Sequence, residues 1–126
     1  IVFRPAHEVS LITFGTTGTS NSLHDELVAE GDDTQYRNIT EIKPLQVPDV
    51  GYLSAVSGLA VSSGVSDFLD ALVVGLDLLI KAVGSEPRRA KAAKKILLLS
   101  NFVTGVSLGG TGCVHRLFNK QICSLL

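Results

Sequence analysis

Five basic side chains fall within eight positions: Arg88, Arg89, Lys91, Lys94 and Lys95. Cations at this density suit two tasks, contact with a nucleic-acid phosphate backbone and recognition as a nuclear-import signal. The plain alternative is a solvated basic loop ahead of a strand. No aromatic residue is interleaved to stack on bases. A nucleic-acid contact made here would therefore be weak, directed at phosphates and indifferent to sequence. The rest of the chain does not reinforce the patch. Its 11 Lys and Arg stand against 12 Asp and Glu, a net charge of −1 that predicts no global attraction to nucleic acid or to a membrane.

Other groupings carry less chemistry. The loop Gly15-Thr16-Thr17-Gly18-Thr19-Ser20-Asn21 follows a predicted strand, where backbone N–H groups can cradle an anion. It has neither the Lys-Ser/Thr pair of a Walker motif nor a three-glycine dinucleotide fingerprint, and reads as a polar connection. The second glycine run, Gly105 to Gly112, also lacks the lysine. Asp25, Glu26, Glu30, Asp32 and Asp33 form an acidic stretch without calcium-loop spacing, which reads as a solvated face. Cys113, His115 and Cys123 offer three zinc donors at a spacing that matches no standard site, and two cysteines in the last fourteen residues make no disulfide framework. Asn38-Ile39-Thr40 is a glycosylation triplet that falls in a predicted strand and reads as chance. The residues predict no catalytic group, no metal site and no cofactor.

The elements that position these groups follow from periodicity. At 126 residues and 45% hydrophobic content, the chain makes one domain at most. It contains no Met and begins Ile1-Val2-Phe3, which reads as a fragment and leaves localisation open on this ground. Residues 66–84 predict the central helix: Asp67, Asp70, Asp77 and Lys81 share an arc of roughly 80° and the remainder is apolar or Gly. Ser66 or Asp67 suits its start and Gly84 its end. Gly75 suits a close approach to a sheet. Strands are predicted at 8–14, 36–43 and 95–102, the second an edge strand ended by Lys43 and Pro44. Ile96 to Leu99 is continuously apolar, as in a strand buried on both faces. Short helices are expected near 23–30 and after Asp49, and Ile1 to Phe3 reads as the end of an earlier element.

Four stretches carry a resemblance: Phe14-Gly15-Thr16-Thr17-Gly18-Thr19, Gln35-Tyr36-Arg37-Asn38-Ile39-Thr40, Asp67-Phe68-Leu69-Asp70-Ala71-Leu72-Val73-Val74, and the strand at Ile96. In order and spacing they resemble the amino-terminal domain of the larger subunit of the Ku heterodimer, the plant forms most of all. The resemblance covers about Val2 to Phe102 and leaves residues 103–126 as an unassigned tail; an alternative transcript or a frame change after Phe102 would produce such an ending. It implies a von Willebrand factor A-like, Rossmann-type α/β fold. It further implies DNA-end binding in the nucleus, non-homologous end joining and telomere maintenance, with the smaller Ku subunit as partner. Some members of that family are described as ATP-dependent helicase subunits, and no P-loop is present here. The family's opening strand, central in its sheet between the strands at Glu8 and Ile96, has no counterpart.

Three function classes follow: a scaffold domain of a DNA-end-binding complex, a metal-dependent von Willebrand A-type ligand-binding domain outside DNA repair, and a nucleotide-binding α/β enzyme. The Asp67–Val74 run favours the first. The expected domain has parallel strands at Glu8 and Ile96 and an antiparallel edge strand at Tyr36. It is marginally stable because a central strand is missing.

Overall fold

The computed structural model describes residues 7–65, 67–85 and 87–100. The element expected at Ile1–Phe3, the second glycine run and the tail 103–126 lie outside the described residues.

Strand β1 (Val9–Phe14) forms where side-chain alternation predicts it, and pairs antiparallel with β2 (Ile39–Gln46) in a two-stranded sheet. The ladder starts in register at Phe14↔Ile39 and Thr13↔Thr40, then slips twice, so that Leu11 meets Lys43 and Val9 meets Gln46. Each slip places an extra residue on β2. Pro44 falls inside the second slip, where its missing N–H costs the ladder nothing. The strand therefore runs through Pro44 rather than stopping at Lys43. Its start is also displaced from the expected residue 36. Tyr36 and Asn38 have φ of +53° and +58°, in the left-handed region, and shape a turn instead.

Helix α1 (Ser22–Ala29) is capped by Asn21, whose side chain accepts from the His24 N–H at 2.9 Å. The preceding loop is zipped onto β2: the Ser20 N–H donates to the Ile39 carbonyl and the Glu41 N–H to the Ser20 carbonyl. Helix α2 (Val50–Ser57) places Tyr52 against the bulged end of the ladder. There the Tyr52 hydroxyl is shared between the carbonyls of Val9 and Pro44.

Helix α3 (Phe68–Ser85) is the predicted central helix, started by Asp67, which accepts from the Leu69 N–H at 2.9 Å. It continues through Gly84 instead of ending there, and a one-turn helix α4 (Pro87–Ala90) follows. The orientation of α3 differs from the simplest amphipathic expectation. Its most buried residue, Val74, lies inside the polar arc, and Ala71 lies beside it. The polar arc thus faces the molecule. At the edge of this face the exposed Lys81 bridges the half-buried Asp77 at 2.6 Å on its own helix and Glu26 of α1 at 2.7 Å, which neutralises the Asp77 carboxylate. Ile80, on the flank about 100° from the centre of that arc, is 53% exposed, and Leu72, Leu76, Leu79 and Val83 across the helix are half-buried.

The core is small: Ile39, Ala71 and Val74, with Ile12, Phe14, Leu23 and Tyr36 packed around them. Gly75 faces the sheet as expected, since a Cβ there would meet Ile12 of β1 and Ile96. The third strand does not form among the described residues. Residues 93–100 have no regular secondary structure, so the parallel pairing expected between Glu8 and Ile96 is absent there. A strand is held by a neighbour's hydrogen bonds; among the described residues β2 is the one strand paired with β1, and Leu97 and Leu99 are 72% and 78% exposed. The described part is a small α/β unit.

Candidate functional site

The basic run is split between α4 and the irregular segment that follows it. Arg88 and Arg89 belong to α4; Lys91, Lys94 and Lys95 follow. Arg89 is committed internally. Its guanidinium grips Glu8 with two bonds, Nε to Oε2 at 2.8 Å and Nη2 to Oε1 at 3.0 Å. Its Nη1 donates to Ser85 Oγ at 3.2 Å. The hydrogen bonds from Arg89 are the main reason the Glu8 carboxyl titrates below its ordinary range, and the charge of Arg88 adds to this. The bidentate fork fixes α4 against the residue that precedes β1. Lys94 donates to the Ala90 carbonyl at 2.7 Å, at the C-terminal end of α4, where a cation is favoured. Arg88, Lys91 and Lys95 are exposed and Lys94 is half-buried. The five cations of the sequence therefore present four at the surface, and the fifth is neutralised by a carboxylate 81 residues away.

The Gly15–Asn21 loop is not an open anion cradle. The Thr16 N–H donates to the Asn38 carbonyl at 3.1 Å and the Ser20 N–H to the Ile39 carbonyl at 3.0 Å. The Thr16 and Thr40 hydroxyls bond each other at 3.1 Å. Gly15 and Thr16 are also covered, because Gly64 lies so close that a Cβ on it would strike the Thr16 carbonyl. Asn38 donates to the Val65 carbonyl at 2.6 Å, which engages the amide of the glycosylation triplet, and Ile39 beside it is fully buried.

The acidic stretch is a folded surface turn. Asp32 accepts from the Thr34 hydroxyl at 2.6 Å and N–H at 2.9 Å, and from Gln35 through its other oxygen. These bonds, the Thr34 hydroxyl first, hold its carboxyl at about 2. His24 Nδ1 contacts the Gln35 carbonyl at 2.7 Å, and Arg37 pairs with Asp33 at 3.1 Å. Among the described residues no three His, Cys, Asp or Glu side chains converge to hold a metal ion, and no helix is long and apolar enough to cross a membrane. Cys113, His115 and Cys123 lie outside the described residues.

Two structural residues were not singled out by the sequence reading. Asn21 is only 3% exposed and uses its whole amide: Oδ1 caps α1, while Nδ2 donates to the Tyr36 carbonyl at 3.1 Å and the Ile39 carbonyl at 3.0 Å. An Asn directly before a short helical run was the available signal. Tyr52 gave no comparable one, since its partners depend on bulges in β2.

Chemically, this arrangement offers a short cationic surface and no catalytic constellation among the described residues. The decisive finding is similarity over most of the chain. It is 33% identical to the ATP-dependent DNA helicase 2 subunit KU80 of Arabidopsis thaliana over 101 residues, 80% of this chain and 14% of that protein. Against the rice protein of the same name, from Oryza sativa subsp. japonica, identity is 34% over 85 residues, 68% of this chain and 12% of the relative.

The chain belongs to the Ku large-subunit family.

A more distant member, the X-ray repair cross-complementing protein 5 of Dictyostelium discoideum, is 25% identical over 120 residues, 95% of this chain and 14% of that relative. The chain thus spans about one seventh of the length of these Ku relatives. No family model matches it. Within the Ku match, the helix α3 that begins with the Asp-Phe-Leu-Asp run carries two of the three buried core residues, so the motif that signals the family also builds the core.

Proposed function

We propose that this chain is part of a partner-binding scaffold domain of a Ku large subunit. In this reading residues 1–102 belong to an amino-terminal von Willebrand factor A-like α/β domain, and residues 103–126 form a separate tail. The domain acts in the nucleus, in a heterodimer with the smaller Ku subunit that holds DNA ends for non-homologous end joining and telomere maintenance. The observation that carries the reading is the similarity to Ku large subunits over 80% of the chain. The relatives' names, a DNA helicase subunit and an X-ray repair protein, point the same way.

End recognition requires enclosing the duplex, and this reading assigns it to the assembled heterodimer rather than to this chain. Arg88, Lys91, Lys94 and Lys95 contribute only a non-specific phosphate contact, on the scale of about 10⁻⁴ to 10⁻⁶ M. Arg89 adds little, because Glu8 neutralises it. The test is co-purification of the tagged chain with the smaller Ku subunit. Retention in a washed, stoichiometric complex is expected. Failure to associate under conditions where the full-length large subunit does so would overturn the scaffold role.

A further inference from the structure

The basic run has a second property that phosphate contact does not use. Its charges follow one another along the chain instead of spreading over a folded face. Residues 91–95 have no regular secondary structure, and Arg88, Lys91 and Lys95 are exposed. A groove that reads an extended peptide engages consecutive residues; a duplex engages a surface. The chain as a whole is slightly acidic, which disfavours docking on DNA by long-range attraction but leaves a local contact between opposite charges intact. We propose that residues 88–95 form a linear docking motif for an acidic, peptide-binding groove of the kind a nuclear-import carrier presents, and that the Glu8–Arg89 ion pair restrains it.

The restraint follows from the geometry. Arg89 is held by Glu8 through two bonds and by Ser85 through a third. Lys94 is held by the Ala90 carbonyl. To lie extended in a groove, the single turn of α4 must unwind, and both contacts must open. Lys91 and Lys95 can be engaged first, since neither needs α4 to change. Releasing Arg89 then adds a further cation for the groove's carboxylates. The folded chain is thus a weaker ligand than its own basic segment. This inference rests on the nuclear reading above.

The test uses the full chain and a purified import carrier whose groove binds basic peptides, with binding followed by fluorescence anisotropy. Saturable binding is expected, weakened ten-fold or more in the Lys91→Ala, Lys94→Ala, Lys95→Ala triple variant. Glu8→Gln, which keeps the side-chain shape and removes its charge, should tighten binding several-fold. A synthetic peptide of residues 87–95 should compete better than the intact chain. No saturable binding, or equal binding by the triple variant, would overturn the proposal. So would binding to duplex DNA with none to the carrier. The triple variant should still co-purify with the smaller Ku subunit, so failure here is distinguishable from failure of the scaffold reading.

Discussion

The two sides of this small unit treat their apolar residues in opposite ways. On one side, β1, β2, α1 and α3 close over Ile39, Ala71 and Val74, and nearly every polar group that turns inward finds a partner. Asn21 ties α1 to β2, and Lys81 ties α3 to α1. On the other side, residues 47–65 and 93–100 expose Val50, Leu53, Val56, Val61, Leu97 and Leu99. No charged residue stands between Asp49 and Asp67. The difference shows what a hydrophobic pattern alone does not specify. Helix α2 is hydrogen-bonded throughout yet buries Tyr52 alone while Val50, Leu53 and Val56 stay exposed, so an apolar residue becomes core only where another element packs over it.

If the closed side is the folding unit, damage to it should dominate. Ile39→Ala should have the largest effect, a loss of about 2–5 kcal/mol for a fully buried side chain, comparable to the whole stability of a small domain. Urea denaturation followed by circular dichroism would measure it. Asn21→Ala should follow at about 2–3 kcal/mol, because it removes a helix cap, takes the amide donor from the Tyr36 carbonyl and leaves the Ile39 carbonyl with the Ser20 N–H alone of its two donors. Tyr52→Phe should cost about 1 kcal/mol and loosen the bulged end of the ladder, seen as faster amide exchange at the residues that pair there. Leu53→Ser, on the open side, should change stability by no more than about 0.5 kcal/mol and reduce aggregation, checked by light scattering. A loss at Leu53 as large as that at Asn21 would erase the distinction between the sides.

The smallest effect concerns pH. Asp32 sits in a surface turn, so its contribution is heavily screened. Its folded pKa of about 2 lies below the ordinary 3.8. The stabilisation it supplies is therefore complete above the ordinary value and is lost as pH falls through about 2. Carboxyl chemical shifts should place its midpoint near 2, and Thr34→Val should raise that midpoint by removing the hydroxyl donor.

How much of this was legible in the sequence depends on how local each cause is. β1, α1 and α3 were visible because alternation, capping and helical periodicity act within a few residues. The family was visible in the run from Asp67 to Val74. The start of β2 was not, because Tyr36 carries a strand-forming side chain on a left-handed backbone set by a bond from Asn21, 15 residues earlier. Pro44 read as a terminator, yet the bulge that accommodates it arises only in the pairing with β1. The inward face of α3 is set by the packing of Ala71 and Val74 against Ile39, 32 residues or more away in the chain, and the fate of Arg89 by Glu8. The apolar run at Ile96 has the composition of an inner strand, but strand formation there needs neighbours that composition cannot supply.

Hydrogen–deuterium exchange on the full chain tests the central claim most directly, that one side closes on itself while the other stays open. Amides of β1, β2, α1 and α3 should exchange slowly and together, at the rate set by global unfolding. Amides of residues 50–57 and 93–100 should exchange orders of magnitude faster. Equal protection across both sets, or stronger protection at 93–100 than at β1, would contradict the account.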